Sequence, residues 1–321
     1  MIYSELLNNV ASRYKDNSIK EEDIPFIKNV LNKESIISLL EDILQQPELL
    51  KKIGERSYTH ALGFDKIVLV DLSKDLEQKY QKTQVRLHIW NPLKTNALPI
   101  VESLHEHSFD FISTILSGHL ENQQFKLSAM TPEKQVLLDK LLKVVPTLSA
   151  EELHFVNHQV EILEAIGLLS FGSKQLVKMK MHEDYDLYKL RRLLKMSSEE
   201  VFSLPSIEGH YVSNRIAGEK KAYKHVLKEY VLLKSHNVLS LNKGDYYFHP
   251  HQLAHRLYYD NSILNSTVLV TTPVAENPEG GSLQRPTYVQ SNEKAYDKIS
   301  FSEDGFKETL ITYLDYLKNQ E

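Results

Sequence analysis

Two histidines one residue apart, His105 and His107, lie in the run Glu102-Ser-Leu-His-Glu-His-Ser-Phe-Asp-Phe-Ile-Ser-Thr-Ile-Leu-Ser-Gly118. On a β-strand, side chains alternate, so both imidazoles leave one face and can converge on one ion. Neutral imidazole suits Zn, Fe, Ni or Cu. A second run far downstream, Gly244-Asp-Tyr-Tyr-Phe-His-Pro-His-Gln-Leu-Ala-His255-Arg, offers His249, His251 and His255. His249 and His251 are two apart and also share a strand face, so they compete with His255 for the role of further ligand. Two surface histidines are the plain alternative for the first pair.

Other residues have spacings that allow chemistry. Arg86, His88 and Trp90 alternate along one strand-like run. If that face is inward, Arg86 can hold a substrate acid group and His88 can act as an acid–base or supporting group; if outward, the three form a polar stripe. Tyr246 and Tyr247 are adjacent, so at most one faces a cavity. Arg256 alternates away from His255 and reads as a structural ion-pair partner. His154 and His158 stand at helical i, i+4 spacing, but Phe155, Val156 and Asn157 between them supply no protease-type glutamate, so they read as surface histidines. Gly280-Gly281 follows no strand-to-helix pattern and reads as loop.

The 321-residue chain has a net charge of −5, a pI near 6.3 and no cysteine. Thiol nucleophiles, disulfides and zinc ribbons are excluded, and a basic nucleic-acid footprint is absent. The N-terminal residues lack the basic and apolar regions of a signal peptide, and no apolar run is long enough to span a bilayer. A soluble cytoplasmic protein is expected, without membrane or nucleic-acid partners.

The elements that must position the histidines follow from texture. Residues 1–54 have helical periodicity, with Gly54 a plausible stop. Short runs rich in branched and aromatic residues begin at Lys66, Gln84, Phe109 and Leu120 and read as strands. Residues 129–204 read as a helical insertion, opened by Thr131-Pro132 and punctuated by capping boxes at Ser149 to Glu152 and Ser197 to Glu200. Strands resume at His210, Tyr230, Val238, Asp245 and Ser266. A loop from Glu276 and an amphipathic helix from about Glu303 to Lys318 close the chain. The expected division is a helical cap (1–54), a first barrel part (55–128), the insertion (129–204), a second barrel part (205–275), and a loop with C-terminal helix (276–321).

Together the two histidine runs resemble the paired signatures of the cupin barrels. His105, His107 and Gly118 match the first signature; Gly244, Pro250 and His255 match the second. The resemblance implies a mainly β fold, a cupin double-stranded β-helix or jelly-roll barrel, with His105, His107 and His255 as metal ligands. The glutamate that cupins commonly place four or five residues after the second histidine is missing, since Phe111 and Ile112 stand there. Strand alternation turns Glu106 and Asp110 away from the histidine face. A neutral three-histidine site remains, with open positions of the kind a catalytic metal keeps.

That ligand set makes the chain similar to the three-histidine thiol dioxygenases, the cysteine dioxygenase group. Tyr58-Thr-His-Ala resembles the group's Tyr-x-Arg segment, Leu87-His-Ile-Trp90 its strand before the metal motif, and His255-Arg-Leu its His-Arg-Val. Val268-Leu-Val-Thr-Thr-Pro273 is similar to its strand ending in Ser-Pro-Pro. The likeness covers about residues 55–127 and 235–275. It implies Fe(II), with Zn, Mn or Ni as alternatives, and an oxygenase using dioxygen on a small chelating substrate. Tyr58, His60, Arg86 and His88 are the implied or candidate catalytic and substrate-contacting residues. His60 replaces the arginine that would hold a cysteine carboxylate, and Thr271 stands where a tyrosine is expected, so cysteine is not the expected substrate. A cupin isomerase or lyase, or a non-catalytic binding or assembly protein, are the alternatives. The insertion is expected to form a lid or a homodimer arm.

Overall fold

The computed structural model describes residues 2–14, 17–60, 63–76, 82–92, 104–168, 185–215, 223–259, 263–273, 281–284 and 299–320. The expected loop residues Glu276 to Gly280 lie outside this set. Helices α1 (Tyr3–Tyr14), α2 (Ile24–Val30), α3 (Lys33–Gln45) and α4 (Pro47–Arg56) open the chain. The strands are β1 (Tyr58–Thr59), β2 (Asp65–Asp71), β3 (Gln84–Trp90), β4 (Phe109–Ser117) and β5 (His119–Ala129), with the short α5 (Leu72–Asp75) between β2 and β3. Helices α6 (Pro132–Val144), α7 (Ala150–Leu168), α8 (Leu187–Leu194) and α9 (Ser198–Phe202) follow. Then come β6 (Ile207–Arg215), β7 (Tyr223–Asn242), β8 (Tyr246–His249), β9 (Ala254–Tyr259), β10 (Asn265–Pro273), β11 (Gly281–Gln284) and β12 (Ile299–Ser300), and α10 (Glu303–Asn319) ends the chain.

The strands form two antiparallel sheets, in the orders β12-β1-β2-β3-β10-β4-β8 and β11-β6-β7-β5-β9. The result is a mainly antiparallel, barrel-like β structure with helices. Alternation along each strand sorts the residues. Val85, Leu87 and Ile89 of β3, with Ile112 of β4 and Val268 and Val270 of β10, pack under a helical layer of α1–α4 and α10. Trp90, Phe111, Ile115, Tyr247 and Leu269 point the other way and meet Leu120, Leu257 and Tyr259 of the second sheet. The site is built at this inner layer. Among the described residues, no helix is long and apolar enough to cross a membrane.

Local chemistry fixes the element ends. Thr131 caps α6 with its hydroxyl accepting from Lys134 N, and Ser197 and Glu200 form a reciprocal capping box on α9. The helices of residues 129–204 share their own core, including Leu138, Leu141, Val156, Leu190, Leu194 and Val201, which reaches Ile207 at the start of β6.

Three expectations need correction. Gly54 does not stop α4, which runs on to Arg56; a Cβ at Gly54 would lie 2.9 Å from Phe306 Cδ1, so the glycine admits α10. The separate strands expected from Tyr230 and Val238 are one 20-residue strand, β7, with a register shift opposite Gln124 and Phe125. Gly281, expected as loop, begins β11 and pairs with Val212.

Candidate metal centre

His105 and His107 do not stand on a strand. Residues 104–108 are irregular, and His105 makes only an isolated bridge to His255, with His105 N donating to His255 O at 3.0 Å and His255 N to His105 O at 2.8 Å. Convergence therefore comes from the bridge and from ring packing rather than from strand alternation. His107 stacks on Phe109 with centroids 4.6 Å apart and meets Phe111 edge-on at 5.3 Å. Phe111, at the position where cupins commonly carry a glutamate ligand, is thus an apolar wall.

The outcome is a cluster of His105, His107 and His255 whose ligand atoms all lie within 4.8 Å of one another. It is the one such His, Cys or acidic group among the described residues, close enough to bind a metal ion. His107 Nε2 and His255 Nε2 are 2.9 Å apart. Two nitrogens held at about 2.1 Å from one ion and at right angles would be about 3 Å apart. His255 Nδ1 is 3.0 Å from Asn122 Oδ1 on β5; with the ring N–H donating there, the Nε2 lone pair is left for a cation. Burial holds His107 and His255 well below the usual histidine range, with neighbouring histidines adding to the shift, so both rings are neutral at pH 7. Neutral, oriented imidazoles in a set of three fit a transition-metal ion.

The rival histidines are otherwise engaged. His249 is fully buried on β8, with its Nε2 3.1 Å from Leu253 O and its Nδ1 3.2 Å from the Gln124 amide nitrogen. Donation from Nε2 and acceptance at Nδ1 satisfy both nitrogens, and burial pushes its pKa down to about 3. Its ring lies 4.2 Å from that of His255, so it packs behind the ligand. His251 turns to Asp110: its backbone N–H donates to Asp110 Oδ1 at 2.7 Å, and Nδ1 lies 2.8 Å from the same oxygen.

That contact also removes Asp110 as a fourth ligand. Glu106 Oε2 lies 2.8 Å from His210 Nε2 on β6, and Glu106 raises the His210 pKa. The contact is not an aligned hydrogen bond, because the ring N–H is not aimed at the oxygen; it is an ion pair when His210 is protonated. Both acidic candidates are thus committed elsewhere.

The face of Arg86, His88 and Trp90 points inward. The Arg86 guanidinium lies 4.5 Å over the Phe109 ring, the same ring that stacks on His107. Arg86 Nε donates to Gln84 Oε1 at 2.8 Å, and burial lowers its pKa to about 10, which leaves it charged. His88 packs 4.7 Å from Phe64 and is held neutral by burial, and its Nε2 has no hydrogen-bond partner among the described residues. His60 stacks on Phe64 at 4.6 Å, and the Tyr58 ring lies 6.2 Å from that of His60. They form a ring wall with His88 and Trp90. Tyr247 faces inward and Tyr246 packs on the helical side. Arg256 lies on the opposite face of β9 from His255, donating from Nε to Gln123 Oε1 at 3.0 Å. His154 and His158 are exposed on α7.

Sequence reasoning passed over Asn122, Gln124, Phe64 and His210. Asn122 and Gln124 carried a signal, two amides at alternate positions on the strand face of Leu120, both buried. The Glu106–His210 pairing, across 104 positions, carried none. No known protein-family model matches the chain, and no characterised protein matches it either.

Proposed function

We propose that the protein is a mononuclear non-haem iron oxygenase of cupin type, similar to the three-histidine thiol dioxygenases, acting on a small chelating anion. The observation that carries this reading is the ligand set: three imidazoles meet, while Asp110 and Glu106 are drawn off to His251 and His210. Three neutral donors leave the charge of a divalent ion uncompensated, which favours direct binding of an anionic substrate. Fe(II), if held by His105, His107 and His255, would supply the redox chemistry for oxidation of an organic substrate by dioxygen.

The chain's own groups supply the rest. Asn122 orients His255, and Gln124 keeps His249 in one tautomer behind it. Arg86, charged and set over Phe109, is placed to attract an acid group of the substrate toward His107. His88 offers an uncommitted ring nitrogen inside the barrel for a substrate polar group. Phe109, Phe111, Phe64 and Trp90 exclude water from this layer. Cysteine is not the proposed substrate, since His60 stands where the resembled group carries its carboxylate-binding arginine.

Elemental analysis of protein purified without oxygen tests the reading directly. About one iron per chain, lost in His107→Ala together with substrate-dependent oxygen uptake, is the expected result. Zinc, manganese or nickel with oxygen-independent turnover would replace it with a cupin isomerase or lyase. Function preserved in both His105→Ala and His255→Ala would replace it with a non-catalytic binding role.

A further inference from the structure

His105 and His107 sit on irregular backbone, and among the described residues the only ladder contact of that segment is the two-bond bridge at His105. The bridge fixes His105 and ring packing on Phe109 and Phe111 steadies His107, but neither holds the residue between them. The residue between the two histidines supplies a second point. Glu106 reaches His210 Nε2 at 2.8 Å, and the two side chains are only 12% and 9% exposed. Glu229 Oε1 lies 3.9 Å from the other ring nitrogen of His210. His210 belongs to β6, whose first residue, Ile207, is part of the core of the helical insertion. Neither Glu106 nor His210 has a part in the chemistry above, and a pair so largely buried is held at a cost in desolvation.

We propose that the Glu106–His210 pair positions the His105–His107 turn, anchoring it to the strand by which the helical insertion rejoins the sheet. This rests on the three-histidine metal site. His210 is therefore a positioning residue, acting on the metal through Glu106 and the two imidazoles flanking it. The bridge to His255 sets where the turn begins, and the ion pair sets the rotation that brings His107 opposite His255. The insertion then has a structural route to the metal, through α9, Ile207 and His210.

Cobalt(II) titration of the metal-free full-length chain, followed by its visible absorption, tests the pair without needing a substrate. Glu106→Gln, His210→Gln and the double variant are compared with wild type, and thermal melting of the metal-free forms serves as the control. Each single variant should bind cobalt ten- to a hundredfold more weakly, the usual effect of losing a group that orients metal ligands. The double variant should be no weaker than the weaker single, because both changes remove one interaction. His210→Lys, which keeps a cation opposite Glu106, should recover part of the loss. Multiplied losses in the double variant, or losses matched by collapse of metal-free melting in the isosteric Glu106→Gln, would overturn the pairing. Tight cobalt binding by all forms would overturn the anchor alone, whereas no binding by wild type would overturn the metal site itself.

Discussion

Asn122 makes the ligand character of His255 depend on a single amide. Its Oδ1, 3.0 Å from His255 Nδ1, selects the tautomer whose Nε2 faces His107. Asn122→Leu should keep the packing volume yet weaken metal binding about ten- to a hundredfold, measured by competition with a chelator. His249 makes a prediction about pH. Its folded pKa is near 3 against about 6.5 unfolded, so between those values the unfolded chain binds a proton that the folded chain refuses. Stability is therefore full above about pH 6.5 and falls as the pH drops toward 3, by up to about 1.4 kcal/mol per pH unit for each such histidine. His88, His107 and His255 are shifted in the same direction. Urea unfolding of the metal-free protein at pH 7 and pH 5 should show a marked loss of stability in acid, and His249→Gln should reduce the slope by one proton's worth. Equal slopes would mean that His249 is protonated in the fold.

At the scale of elements, the turn at Gly118 between β4 and β5 is the tightest requirement. Its φ is +79°, and a Cβ there would come within 2.0 Å of Asn265 Oδ1, which accepts the His119 N–H. Gly118→Ala thus meets both a left-handed backbone cost of about 1–2 kcal/mol and a clash that breaks that hydrogen bond. A clear drop in the urea midpoint is expected, with β5, the strand of Asn122 and Gln124, displaced. Gly244, at φ +88°, has open space around its Cβ position and carries the backbone cost alone. Ala at Gly244 should therefore be milder than at Gly118, and the reverse order would refute the steric account.

Across the whole molecule, two sheets share an inner layer while helices cover the outside and form a second core on residues 129–204. A metal that binds only the folded form stabilises it by mass action, about 2.7 kcal/mol at a hundred times its dissociation constant. Melting should rise with added metal in wild type and not in His105→Ala. Leu194, fully buried in the insertion core, tests the second core: Leu194→Ala should cost about 2–5 kcal/mol.

Strand texture at Lys66, Gln84, Phe109 and Leu120, the helix caps at Thr131 and Ser197, and the histidines able to bind a metal are all legible in the chain. These are local matters, because period, turn chemistry and capping are written within a few residues. The sequence also placed Glu106 and Asp110 off the histidine face, though by an alternation that residues 104–108 do not possess. Only the tertiary structure decided that Arg86 and His88 face inward, since alternation gives two faces and not which one is covered. The resemblance already implied His255 with His249 and His251 as rivals, and packing groups His255 with His105 and His107 while Leu253 O and the Gln124 amide satisfy the His249 ring. The histidine spacing was visible in the chain, but its convergence rests on a bridge across 150 positions, ring packing on Phe109 and Phe111, and an amide on another strand. Such long-range contacts leave no periodic trace in a single sequence.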